Sequence, residues 1–116
     1  MSTQAQTHIV PQTISGTVTG KPFHMSAQGT PLQVFALQVG GEPVIVIEPD
    51  SLTRQPGQHV EVTGFAATAS YNDPHGVLLT DRLLWSYLLP QPMPDQDTLD
   101  AIAEDYATVS KNWPWG

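Results

Sequence analysis

The sequence contains no cysteine in its 116 residues. Disulfide frameworks, thiolate metal sites and cysteine nucleophiles are therefore excluded, and we expect a chain that works in a reducing compartment, the cytoplasm. Basic residues are also scarce, because four Lys and Arg face eleven Asp and Glu, giving a formal net charge of −7. Tight binding of nucleic acid without sequence preference needs several cations at the phosphates, so the charge disfavours that class of function.

Long apolar runs are missing as well. No stretch approaches the roughly 20 apolar residues that span a bilayer, so we expect no membrane partner. The first residues, MSTQAQTHIVPQ, have neither the basic start nor the apolar run of a signal peptide. A chain of 116 residues suits one domain that buries a single core without metals or disulfides.

The negative charge is concentrated near one end. Residues 12–90 carry six acids and three bases, whereas residues 91–116 carry five acids and one base. We therefore divide the chain into a flexible lead-in (1–11), a mildly acidic body (12–90) and an acidic tail (91–116).

Alternation of apolar and polar residues predicts five strands in the body. The predicted strands cover residues 13–20, 32–39, 43–49, 59 to about 67, and 77–89. In the fourth, Val60 and Val62 share one face, which we expect to be buried. Gly16 and Gly64 interrupt strands where sharp coiling is expected. The Pro- and Gly-containing stretches 21–31 and 67–76 are predicted to be loops.

The tail has the pattern of an amphipathic helix. Apolar residues recur at spacings of three and four, and Asp95 or Asp97 can cap the N-terminus. Pro114 prevents the helix from continuing into the final Trp-Pro-Trp segment. The residues that we predict to contact a partner or a second copy are Leu99, Ile102, Tyr106, Trp113 and Trp115. The alternative is that the helix packs on the body of its own chain.

The strand order resembles that of OB-fold domains of the anticodon-binding and single-strand-binding type. Gly57, Val60, Val62 and Gly64 match the G-x-x-V-x-V-x-G run of strand four in that family, and residues 79–83 loosely match strand five. The resemblance covers roughly residues 12–87. It implies an all-β fold, a small five-stranded OB-like Greek-key barrel followed by a C-terminal amphipathic helix. An SH3-like barrel is the structural alternative.

The resemblance also implies a ligand-binding groove. OB domains bind oligonucleotides or oligosaccharides on strands two and three, flanked by the one-two and four-five loops. The ligand-binding residues that this implies are Lys21, Phe23, His24, Phe35, Tyr71 and His75. Stacking of bases on such side chains predicts weak binding of single-stranded nucleic acid. The alternative places Phe23 and Phe35 in the core and Tyr71 in solvent.

Catalytic and metal-binding patterns are not apparent. The four histidines (8, 24, 59 and 75) lack metal-ligand spacing, and Asp73 beside His75 is better explained by turn chemistry. We therefore predict a non-enzymatic binding module that uses no metal or cofactor. The competing hypothesis is a protein-interaction or assembly module that makes its contact through the acidic helix and the aromatic tail.

Overall fold

Five strands and one helix form the regular structure of residues 10–112, the part of the chain that the computed structural model describes. The elements are β1 (Gln12–Ala27), β2 (Thr30–Val39), β3 (Glu42–Pro49), β4 (His59–Asn72), β5 (Leu78–Ser86) and α1 (Gln96–Asn112). The prediction of a mostly β chain with a C-terminal helix is confirmed. Within residues 10–112, no helix has the length and apolar character needed to cross a membrane.

The strands close into one sheet in the order β1-β2-β3-β5-β4, with β4 returning to β1. All neighbouring strands are antiparallel except β3 and β5, which run parallel through Val44–Ile47 and Arg82–Trp85. Closure leaves few unpaired strand edges, which a five-stranded sheet without covering helices would otherwise expose.

The first predicted loop is instead strand. Residues 23–27 pair with residues 34–30 of β2, so β1 extends to Ala27 and only a tight turn at Gln28 and Gly29 separates the two strands. Pro22 suggested a loop in the sequence, but it lies within a register shift between Thr19 and Phe23. An irregularity of this kind accommodates a residue that cannot donate a ladder hydrogen bond.

The second predicted loop is also mostly strand. Residues 65–72 of β4 pair with residues 85–78 of β5, which shortens the connection to residues 73–77. The Asp73 carboxylate holds this turn by accepting hydrogen bonds from the backbone N–H groups of His75 (2.8 Å) and Val77 (2.9 Å). Turn chemistry therefore explains the Asp73–His75 pair, as predicted. β5 ends at Ser86, three residues before the predicted end.

Gly16 and Gly64 lie at points of close approach between backbones. A Cβ atom on Gly16 would lie closer than 3.0 Å to the backbone carbonyl of Gln38. A Cβ atom on Gly64 would meet the carbonyl of Trp85 in the same way. Only glycine fits at these positions, where the closed sheet brings neighbouring strands together.

Two apolar clusters lie on opposite faces of the β2, β3 and β5 strands, since their members alternate along each strand. The strand cluster takes residues from all five strands: Val18, Phe35, Leu37, Val44, Val46, Val60, Val62 and Leu84. The helix-side cluster contains Leu32, Val34, Ile45, Ile47, Ala69, Leu83, Trp85, Leu89, Leu99, Ile102 and Ala103. The predicted burial of Val60 and Val62 is confirmed.

The helix begins at a cap that the sequence predicts. The Asp95 carboxylate accepts a hydrogen bond from the Thr98 backbone N–H at 3.0 Å, and bonds from Thr98 lower the pKa of Asp95. Two polar side chains then fasten α1 to β4: Gln96 donates to the Thr68 carbonyl (2.7 Å), and Asp100 accepts from the Ser70 N–H (2.9 Å). The tail helix is thus docked on its own sheet.

Candidate functional site

The face of β2 and β3 predicted to bind ligand is covered within the chain. Phe35 is fully buried in the strand cluster, so its ring is not available for stacking, and the alternative core assignment is correct for this residue. Gln33, which neighbours it on β2, is only 1% exposed. The opposite face of the two strands carries the helix-side cluster, where α1 packs. The side chains of residues 32–35 and 44–48 are all buried, so none of them is open to a ligand in this structure.

Phe23 and Tyr71 flank the helix rather than an open groove. Both are half-buried and pack against the helix-side cluster. The Tyr71 hydroxyl donates to Asp81 Oδ2 at 2.5 Å. Burial raises the pKa of Tyr71, and the hydrogen bond and negative charge of Asp81 raise it further, so the phenol is held in its neutral form. These two rings contribute mainly to packing.

The remaining predicted ligand residues are exposed but lie on separate elements. Lys21 and His24 are on β1, whereas His75 is in the turn between β4 and β5. The His24 Nδ1 atom contacts the Asp50 carboxylate, which follows β3. The structure therefore brings Phe23 and Tyr71 to one cluster, but it does not gather the six predicted residues around one ligand.

A groove of about 420 Å³ lies beside the His24–Asp50 contact. Its lining residues, here called the proline groove, are Thr30, Pro31, Pro49, Asp50, Ser51 and Pro90. The His24 side chain is 60% exposed next to it, so an imidazole ring lies near the proline side chains that line the groove. Of the other predicted ligand residues, Tyr71 lines a much smaller recess of about 10 Å³ beside α1.

A buried polar network links β2, β3 and the connection that follows β3. Glu48 is 1% exposed, and Gln33 Nε2 donates to its Oε2 at 2.6 Å. Arg54 donates to both carboxylate oxygens, from Nε at 2.8 Å and from Nη2 at 3.1 Å. Gln33 also donates to the Leu52 carbonyl (2.8 Å), which fixes the connection after β3. A single acid within the apolar run PVIVIEP was the available signal for this network.

A cleft of about 330 Å³ opens above this network. Its lining residues, here called the Tyr87 cleft, are Glu48, Leu52, Arg54, Glu61, Val62, Thr63, Ser86, Tyr87 and Leu88. Tyr87 is 57% exposed and Leu88 is 69% exposed, so the rim is apolar although the floor is charged. Tyr87 and Leu88 lie near the end of the predicted fifth strand, and the sequence pattern indicates no role for them.

The arginines are engaged with carboxylates. The Arg82 Nη1 atom donates to Glu42 at 2.9 Å. The pairing follows from the parallel register that sets Arg82 beside the start of β3. Both partners are largely exposed, whereas the Arg54 side chain is 16% exposed and its partner Glu48 is 2% exposed.

The predicted partner residues fall into two groups. Leu99 and Ile102 are buried and Tyr106 is half-buried, all against the helix-side cluster, so the described structure uses them for packing within the chain. Leu99 and Ile102 are therefore inaccessible to a partner while α1 stays on the sheet, whereas part of Tyr106 remains exposed. Trp113 and Trp115 lie outside the described residues.

In residues 10–112, no three His, Asp or Glu side chains come together in a way that could hold a metal ion. The concave surfaces combine carboxylates with exposed rings, which suits recognition of a ligand. A scan against protein-family models gives no match, and a comparison with curated proteins gives none either.

Proposed function

We propose that the chain is a non-enzymatic OB-like module that binds single-stranded nucleic acid weakly and mainly through base stacking. The observation that carries the proposal is the strand order β1-β2-β3-β5-β4 in a closed sheet. A parallel β3–β5 pair within an otherwise antiparallel sheet supports an OB-type Greek-key arrangement over an SH3-like barrel, whose strands mostly follow one another as a meander. The functional part of the proposal is an analogy between folds.

The charges determine what kind of binding is expected. Arg54 and Arg82 each form an ion pair, and Lys21 has an interaction of its own. A phosphate would have to compete for these cations, so few counterions are released when a strand binds. Affinity must then come from stacking, which is worth about 1–3 kcal/mol per base.

The proline groove is the surface that we assign to this ligand. His24 was predicted to contact ligand, and it remains 60% exposed beside the groove. Its imidazole can stack on a base, and the rings of Pro31, Pro49 and Pro90 offer apolar contacts nearby. Phe23 is a poorer probe of binding because its substitution would disturb the helix-side cluster.

Fluorescence anisotropy with labelled oligo-dT and oligo-U tests the proposal. At about 20 mM salt, where electrostatic help is greatest, we expect weak but measurable binding. Since one or two phosphates at most are contacted, the slope of log K against log salt should be no steeper than about −0.7 to −1.4. Loss of one stacked ring in His24→Ala should weaken binding about fivefold or more.

The matched control is His59→Ala, which removes the same kind of ring from an exposed position in β4. We expect its affinity to equal that of the unsubstituted chain. Absence of binding at low salt contradicts the proposal as a whole. Equal effects of the two histidine substitutions would contradict the placement at the proline groove.

A further inference from the structure

We infer that the Tyr87 cleft is a docking site for a peptide segment of a partner protein in which a Lys or Arg lies next to an apolar side chain. The site is separate from the proline groove and does not depend on nucleic-acid binding. Three properties of the cleft carry the inference: its fixed apolar rim, its neutralised floor and its remaining carboxylate.

The apolar rim is held in place by the backbone. The Tyr87 N–H donates to the Thr63 carbonyl at 2.9 Å, and the Leu88 N–H donates to Ser86 Oγ at 3.1 Å. The Tyr87 ring also contacts Phe65, with centroids 5.8 Å apart and planes tilted by 59°. Two large apolar side chains therefore stay exposed on an ordered turn, which reduces the entropy lost on binding.

The charged floor adds little net charge of its own. Arg54 reaches both oxygens of Glu48, so the two charges offset each other. Glu61 also lines the cleft, is exposed, and carries a carboxylate with no opposite charge bonded to it among the described residues. The cleft thus has a net charge of −1 from two carboxylates and one guanidinium.

This charge selects the class of ligand. A phosphate or carboxylate at the cleft would meet the Glu61 charge, and its possible partner Arg54 is already occupied. A Lys or Arg side chain would instead find a carboxylate and the face of Tyr87, which attracts cations. The formal net charge of −7 steers basic partners toward the protein over longer distances.

The rim selects the neighbouring residue of the peptide. Leu88 and Tyr87 together present an apolar surface beside the anionic position, so an adjacent Leu, Ile, Val or Phe would bury area against them. Tyrosine is also among the residue types that most often contribute a large share of the binding free energy in protein interfaces. A basic residue next to an apolar one therefore matches both parts of the cleft.

A titration followed by ¹H–¹⁵N NMR tests the inference with the peptide acetyl-Leu-Lys-Leu-Lys-amide. We expect shifts confined to residues 61–63 and 86–88, and no comparable shifts with the matched acidic peptide acetyl-Leu-Glu-Leu-Glu-amide. Glu61→Gln and Leu88→Ser should each weaken binding about three- to fivefold.

Leu78→Ser is the matched control, since Leu78 is 67% exposed at the distant start of β5 and Leu88 is 69% exposed. It should leave the affinity unchanged. Equal binding of both peptides, equal effects of the two leucine substitutions, or no shifts at about 2 mM basic peptide would each overturn the inference. Displacement of the basic peptide by oligo-dT would overturn it too, and would assign the cleft to nucleic acid.

Discussion

The buried carboxylate of Glu48 depends on side chains from other parts of the chain for its hydrogen bonds. The donors that satisfy it come from Gln33 on β2 and from Arg54 in the connection after β3. Removal of one member of such a buried ion pair leaves the charge of the other buried without an opposite charge beside it. This lowers the free energy of unfolding far more than breaking an exposed pair does. The two arginine pairs of this chain allow a direct comparison.

We predict that Arg54→Met lowers the free energy of unfolding by roughly 3–5 kcal/mol, because Glu48 is left buried without its partner. Arg82→Met, which breaks the exposed pair with Glu42, should cost less than about 1 kcal/mol. Urea unfolding curves of both variants measure the difference.

A second substitution separates charge from packing. Glu48→Met in the Arg54→Met background should recover much of the lost stability, since apolar side chains often replace a buried ion pair without loss. Similar losses for Arg54→Met and Arg82→Met, with no recovery in the double variant, would show that the network is not a source of stability.

Sequence alone could not identify this network. Glu48 was visible as an acid within an apolar strand, but its burial depends on an arginine six residues later and on a glutamine from another strand. By contrast, the burial of Val60 and Val62 follows from alternation along one strand, and the Asp95 cap depends on residues only three apart. For these two features, residues close together in the sequence were sufficient for the prediction.

At the scale of elements, the strands are longer than the sequence indicated. The prolines and glycines between residues 21 and 31 favoured a loop, yet pairing of β1 with β2 continues past Pro22 because a register shift accommodates it. Five of the six predicted ligand residues fall in the stretches 21–31 and 67–76, which were both predicted to be loops. The error in strand length therefore also changed where these residues lie relative to one another.

Gly64 lies where the backbone of a neighbouring strand approaches closely, and we predict that Gly64→Ala is strongly destabilising. The added methyl group would lie closer than 3.0 Å to the Trp85 carbonyl, and backbone atoms cannot move aside as a flexible side chain can. We expect a loss of about 1–3 kcal/mol or more in unfolding free energy, measured in urea.

Ser15→Ala is the control for this substitution, because Ser15 is exposed on β1 where that strand pairs with β4. It should change stability by less than about 0.5 kcal/mol. Comparable losses in the two variants would contradict the close approach at Gly64.

For the molecule as a whole, the main consequence of the structure is that α1 belongs to the core. The sequence predicted the helix and left two roles open, packing on its own chain or contact with a partner. Which face it covers could not be predicted, since that depends on where β1 and β4 run after they separate. The helix contributes Leu99, Ile102 and Ala103 to a cluster shared with strand residues.

We predict that Ile102→Ala lowers the unfolding free energy by about 2–5 kcal/mol, because its side chain is 2% exposed and leaves a cavity. Thr108→Ala, at an exposed position of the same helix, should have little effect. Chemical unfolding curves compare the variants. A loss in Ile102→Ala no larger than that in Thr108→Ala would mean that α1 contributes little to the core.

The hydrogen bonds from Gln96 and Asp100 to β4 have a consequence for self-association. β1 pairs with β4 only as far as Gly64, so the same edge of β4 has no neighbouring strand at Thr68 and Ser70. The two helix side chains satisfy backbone groups there, in place of a strand. Local opening of α1 would expose an unpaired strand edge and apolar residues at once, the combination that promotes edge-to-edge aggregation. The tail helix therefore protects the chain against pairing with its own copies, as well as adding to its core.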